Sequence, residues 1–199
     1  GYRKYIDVRS FVDFTLLNEL AKNVDSYRLS TFFCKDRDDK DSKLHAGPIW
    51  AFNIALGNAD YCGGESTSGW AIDFNTICGG DNWVNQFWWQ KMWQDQHYRR
   101  DLKARWNELR TGPLSTEHVL HVLDSLTALV QESQVRNFQR WPVLNNYLWP
   151  NVYCCGTYAG HTNFLRTWIQ NRLGWIDYTA KTLYLGDYYP EERFTPMVY

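Results

Sequence analysis

Apolar side chains recur every three or four positions in four stretches of the chain, and each stretch predicts an amphipathic helix. Ser10 and Ser115 precede two of these stretches, and serine is a favourable N-cap residue. Between helices, residues 140–160 carry two prolines and show no period, which predicts an ordered, aromatic-packed loop. The predicted helices cover about 10–22, 85–110 with a break near Gln96, 115–130 and 160–173.

Two short apolar runs near the start of the chain predict a β-hairpin. They are residues 31–35 and 44–52, and the charged segment 36–43 between them is typical of a solvated turn. The tail 184–199 is expected to be extended or hairpin-like. The expected fold class is mainly α with a small β-hairpin (α+β), in a single domain spanning residues 1–199.

Charge and hydropathy exclude several classes of partner. The chain has 21 basic and 22 acidic side chains, so its net charge of −1 gives no general attraction to nucleic acid. No run of 18 apolar residues is present, and we therefore expect no membrane span. Aromatic residues make up 17% of the chain, which is high. Large aromatic side chains fill cores, and they also form flat platforms for ligands.

Cys62 and Cys78 flank a Gly- and Ser-rich stretch that is a loop by composition. A disulfide between them would close a loop of about sixteen residues and stabilise the fold by about 3 kcal/mol. Two free thiols are the alternative. A disulfide would indicate an oxidising, extracytoplasmic compartment.

Several long motifs resemble the CotH kinase family, which is named after spore coat protein H. They include YIDVRSFVDFTLLNELAKNVDSYRLSTFFCKDRD, KLHAGPIWAFNIALGNADYC, FWWQKMWQD and FLRTWIQNRLGWID, and together they span nearly the whole chain. The resemblance implies the catalytic lobe of an atypical protein-kinase-like fold, with the nucleotide-binding lobe expected upstream of Gly1 and missing from this chain. It also implies ATP- and magnesium-dependent phosphorylation of Ser or Thr in secreted, cell-surface or spore-surface proteins.

The resemblance also assigns candidate site residues. Asp25, in the motif NVDSYR, matches the catalytic-loop aspartate. Kinases place a metal-binding residue five positions later, which is Ser30 here, and a second metal-binding aspartate after the hairpin. In the family that second aspartate stands in a Trp-Asp-Phe-(Asn/Asp) motif, which here reads Trp50-Ala51-Phe52-Asn53. Ser30, Ala51 and Asn53 are thus the candidate cofactor-binding positions, and Asn53 is the candidate metal ligand.

Ala51 departs from the family pattern, because it has no side-chain oxygen for magnesium. We therefore expect the chain to be inactive or impaired as a kinase. The alternative is a non-catalytic module that binds carbohydrate or a protein partner through exposed aromatic rings. The candidate platforms are Trp70, Trp83, Trp88, Trp89, Trp141 and Trp149.

Overall fold

The structure, a computed structural model, describes residues 1–78, 85–154 and 156–183, and these form a mostly helical α+β fold, as predicted. Short 3-10 helices cover Tyr2–Lys4 and Ala71–Asp73. The strands and α-helices are β1 (Phe33–Lys35), β2 (Leu44–Ala46), α1 (Val8–Ala21), α2 (Phe74–Ile77), α3 (Phe87–Gln94), α4 (Gln96–Arg110), α5 (Thr116–Leu129), α6 (Gln131–Arg140) and α7 (Tyr158–Ala180).

Helix α1 lies at the centre of the core and packs against β2, α4 and α7. Its C-cap is Lys22, where the helix was predicted to end, but its N-cap is Asp7, whose carboxylate accepts the N–H of Ser10 at 2.7 Å. The predicted N-cap Ser10 is wrong. Its hydroxyl instead accepts the N–H of Ala46 at 3.1 Å, so it serves to attach β2 to the first turn of α1.

The predicted hairpin is confirmed, with shorter strands. β1 and β2 are antiparallel, and Cys34 lies opposite His45. The buried ring of Trp89 attaches the hairpin to the core, because it stacks on Phe33 from β1 and on Phe14 from α1. Aromatic stacking and ring burial therefore position a hairpin that is too small to be stable by itself.

The second half of the chain agrees with the predicted helices in part. The break near Gln96 is confirmed, because Asp95 separates α3 from α4 and accepts the N–H of His97 at 2.9 Å. Ser115 caps α5 as predicted. Helix α6 was not predicted, and α7 extends beyond both predicted ends. The predicted extended tail lies outside the described residues, and within them no helix is long and apolar enough to cross a membrane.

Candidate functional site

The loop that carries Asp25 begins where α1 ends. Lys22 adopts a left-handed conformation with φ of 45°, which turns the chain away from the helix axis. The carbonyl of Asp25 then accepts the N–H groups of Leu29 at 3.1 Å and Ser30 at 2.9 Å, so the backbone closes into a tight turn. The Asp25 carboxylate is partly buried and accepts a hydrogen bond from Arg28 at 3.3 Å. The candidate catalytic carboxylate is thus held on a structured turn.

One buried amide joins the loop of Asp25 to Ala51. The side chain of Asn23 donates to the carbonyl of Ala51 at 3.2 Å, and its oxygen accepts the N–H of Asp25 at 3.2 Å. Ala51 has φ of 53°, a left-handed conformation that costs a residue with a Cβ about 1–2 kcal/mol. The hydrogen bond from Asn23 stabilises this turn. The structure therefore brings the segments of Asp25 and Ala51 together.

The other two candidate positions differ in their exposure. Asn53 is exposed, and its carbonyl accepts a hydrogen bond from Asn58 at 2.9 Å. Ser30 is only 5% exposed, which leaves little of its surface for a ligand. Within residues 1–78, 85–154 and 156–183, no three His, Cys, Asp or Glu side chains form a group that could hold a metal ion. The assigned roles of Asp25, Ser30, Ala51 and Asn53 stay predictions.

A buried network beneath the Asp25 loop was missed by the sequence analysis. The carboxylate of Glu19 accepts the hydroxyl of Tyr27 at 2.8 Å and the N–H groups of Ala71 and Ile72 at 2.7 and 2.9 Å. Arg172 of α7 lies 3.6 Å from this carboxylate, and both side chains are almost fully buried. The sequence did contain a signal for this network. Glu19 and Arg172 stand within apolar helical runs, and charged side chains are buried there only when they are paired.

Burial shifts the pKa values of this network. It raises the pKa of the Tyr27 phenol, and the negative charge of Glu19 adds to that effect. It lowers the pKa of Arg172 to about 10, while Glu19 opposes the shift. For Glu19 itself burial raises the pKa, and Arg172 and the three donors oppose the rise. Because the tyrosine belongs to the Asp25 loop, the network fixes that loop to α1 and α7.

The side chain of Lys22 holds a second loop, the one between Cys62 and Cys78, from its interior. Its ammonium donates to the carbonyls of Gly63, Ser66 and Ser68 at 2.7, 3.1 and 2.5 Å. Burial, and then the positive charge of Arg172, lowers the pKa of Lys22 to about 8. Three carbonyl acceptors match the three N–H bonds of an ammonium group, so this one side chain holds residues 63–68 of the loop.

A disulfide between Cys62 and Cys78 closes the same loop, with Cα atoms 4.8 Å apart. The sequence left open a disulfide or two free thiols, and the structure contains the disulfide. The loop is therefore fixed covalently at its ends and by hydrogen bonds in its interior.

The candidate tryptophan platforms differ widely in exposure. Trp89 is 2% exposed and belongs to the core, so its prediction as a platform is wrong. Trp70 is half-buried between Trp93 and Trp175. Trp83 lies outside the described residues. The remaining candidates are exposed: Trp88 by 37%, Trp141 by 56% and Trp149 by 72%.

By its geometry this protein is a mainly helical domain that carries a carboxylate on a hydrogen-bonded loop at the end of its central helix. A family model described as CotH kinase protein matches residues 1–176. The chain therefore belongs to the CotH kinase family, and the predicted resemblance is confirmed. No curated protein and no solved structure matches this chain.

Proposed function

We propose that this chain is a kinase-like domain of the CotH family in which metal-dependent phosphoryl transfer is lost or strongly reduced. The observation that carries the proposal is the position of Ala51. Its backbone carbonyl accepts a hydrogen bond from Asn23, two residues before Asp25, and this closeness supports the motif-based assignment of Ala51 to the position of the family's metal-binding aspartate. The family activity implied is ATP- and magnesium-dependent phosphorylation of Ser or Thr in extracytoplasmic proteins.

The residues around Asp25 do not fit a magnesium ion. Magnesium prefers carboxylate ligands and near-octahedral oxygen geometry. Ala51 offers only a backbone carbonyl, which already accepts a hydrogen bond, and Asn53 offers a neutral amide. The Asp25 carboxylate is paired with Arg28. Loss of one preorganised electrostatic partner typically lowers turnover by two to three orders of magnitude.

The proposed compartment is extracytoplasmic, either secreted or at a cell or spore surface. The disulfide between Cys62 and Cys78 supports this proposal, because structural disulfides persist mainly in oxidising environments. The proposed partner is a protein that meets the domain in that compartment.

The test compares the chain with three variants in a radiolabelled ATP transfer assay and in calorimetric titration with magnesium. Ala51→Asp restores a carboxylate, and the left-handed backbone at this position favours aspartate over alanine. Ala51→Asn is the matched control, because it has the same shape without the charge. Asp25→Ala provides the background of the transfer assay.

We expect no transfer by the unmodified chain above the Asp25→Ala background, and stronger magnesium binding by Ala51→Asp than by Ala51→Asn. Robust transfer by the unmodified chain that Asp25→Ala abolishes would contradict the proposed loss of activity. Equal magnesium binding by the Asp and Asn variants would show that position 51 does not contact the metal.

A further inference from the structure

Trp149 presents a fixed aromatic ring to solvent. It is 72% exposed, although tryptophan is strongly buried on average. One face of its ring stacks on Tyr61, with ring centroids 6.1 Å apart and planes 22° apart. The stacking defines the orientation of the ring, while most of the side chain stays exposed to solvent. An exposed ring in a defined orientation is suited to stacking with a flat ligand.

Hydrogen bonds hold the loop of Trp149 in place before any ligand binds. The carbonyl of Pro150 accepts the N–H of Asp60 at 2.9 Å, and Asn58 donates to Asn151 at 2.7 Å. Asn151 in turn donates through its side chain to the carbonyl of Leu148 at 2.7 Å. The loop of Trp149 is thus attached to residues 58–60, which follow the candidate positions Ala51 and Asn53 in the chain. Because the ring is already ordered, a ligand would lose little affinity to ordering it.

Polar side chains lie on the two segments that hold the ring. The exposed carboxylate of Asp60 accepts a hydrogen bond from the hydroxyl of Tyr147, which is itself 53% exposed. Burial raises the pKa of Tyr61, the negative charges of Asp25 and Asp60 add to this rise, and the positive charge of Arg28 opposes it. A carboxylate accepts hydrogen bonds from ligand hydroxyls, and the exposed charge of Asp60 repels an anionic ligand.

We propose that a neutral oligosaccharide binds to the surface formed by Tyr61, Asp60, Tyr147 and Trp149, which we call the Trp149 surface. The C–H groups on one face of a pyranose ring carry partial positive charge and pack on the electron-rich face of Trp149. The hydroxyls at the edge of the sugar donate to Asp60. The surface uses neither a metal nor the Asp25 carboxylate as a ligand, so this inference goes beyond the proposed function and stands independently of it.

A sugar fits this surface better than an apolar peptide segment does. Peptide side chains that anchor a protein interface usually fill desolvated pockets. The Trp149 surface instead offers one flat ring with a carboxylate and a phenolic hydroxyl beside it. β-Linked pyranoses with equatorial hydroxyls have flat apolar faces and polar edges, and they match both features.

The test measures binding of cellohexaose, chitohexaose and xylohexaose to the folded chain by calorimetry, with trigalacturonate as the anionic comparison. We expect at least one neutral oligosaccharide to bind, and trigalacturonate to bind more weakly. Trp149→Ala should weaken binding by about tenfold or more, and Trp149→Phe by less, because the smaller ring keeps part of the stacking. Asp60→Asn should weaken it several-fold.

Trp141→Ala is the matched control. Trp141 is also exposed, by 56%, but it stands in a different setting, with the guanidinium of Arg140 4.4 Å from its ring centroid. Its removal should leave binding unchanged. Failure of all three neutral oligosaccharides to bind at millimolar concentration would overturn the proposal. So would binding that survives Trp149→Ala, equal or tighter binding of trigalacturonate, or peptide binding through Trp149 without oligosaccharide binding.

Discussion

The buried carboxylate of Glu19 gives the sharpest test of how the Asp25 loop is held. Glu19→Gln keeps the size of this side chain and removes its charge. An amide accepts through one oxygen, so at least one of three donors, Tyr27, Ala71 and Ile72, loses its acceptor. The guanidinium of Arg172, 3.6 Å away, loses its counter-charge at the same time.

The expected cost follows from burial. Removing one partner of a buried ion pair costs about 3–5 kcal/mol, and a buried donor without an acceptor costs about 1–3 kcal/mol. The two effects overlap at Glu19, so we expect a loss of about 3–6 kcal/mol in the free energy of unfolding. For a domain of this size, that loss corresponds to a decrease of roughly 6–24 °C in the melting temperature.

Urea unfolding, followed by tryptophan fluorescence and far-ultraviolet circular dichroism, measures the change. The matched control is Glu132→Gln, which removes a carboxylate from a surface pair with Arg136 on α6, where both side chains are 65–78% exposed. It should cost less than about 0.5 kcal/mol. The double variant Glu19→Gln/Arg172→Met should lose less stability than the two single variants lose in sum, because the charges interact directly.

A cost for Glu19→Gln as small as that of the surface control would refute the reasoning. Additive costs in the double variant would show that Arg172 is stabilised by its backbone carbonyl partners, which include Thr67 and Gly69, rather than by the charge of Glu19.

Three further predictions concern the same half of the molecule. Since burial lowers the pKa of Lys22 from 10.5 to about 8, the unfolded chain binds more protons between these values, and this group should raise the free energy of unfolding as pH rises from about 8. The free energy of unfolding of Lys22→Met, measured with urea at several pH values, should lack that rise. Gly57→Ala should destabilise by about 3 kcal/mol or more, because its φ is 85° and a Cβ would lie 2.4 Å from a buried tryptophan ring, whereas Gly112→Ala meets no atom within 4 Å. Replacing both Cys62 and Cys78 with serine should cost about 3 kcal/mol in urea unfolding.

A different result would contradict each of these three predictions. If Lys22→Met and the unmodified chain show the same slope of stability against pH, Lys22 titrates normally in the folded state. Equal stability of the two glycine variants would place Gly57 in open space. An unchanged urea midpoint after loss of the cysteines would mean that hydrogen bonds alone order the loop.

Local patterns in the sequence were sufficient to predict the long helices other than α6, because apolar periodicity and capping residues act within a few positions. They located the end of α1 at Lys22, the break near Gln96 and the cap at Ser115. Ser10 is a failure of the same reasoning, because Asp7, an equally favourable cap three positions earlier, begins the helix. The contact of the Ser10 hydroxyl with Ala46, 36 positions away, is one that no local pattern encodes.

The sequence by itself determined the family, the fold class and the absence of a carboxylate at position 51, since motif residues are read directly from the chain. Only the tertiary structure decided how the Asp25 loop is supported. Glu19, Lys22 and Arg172 are charged side chains within apolar helical runs, and apart from Tyr27 their partners lie between 41 and 153 positions away. It also decided that Trp89 is core and Trp149 is exposed. The sequence could not distinguish these two rings, because the burial of an aromatic side chain depends on which distant elements pack over it.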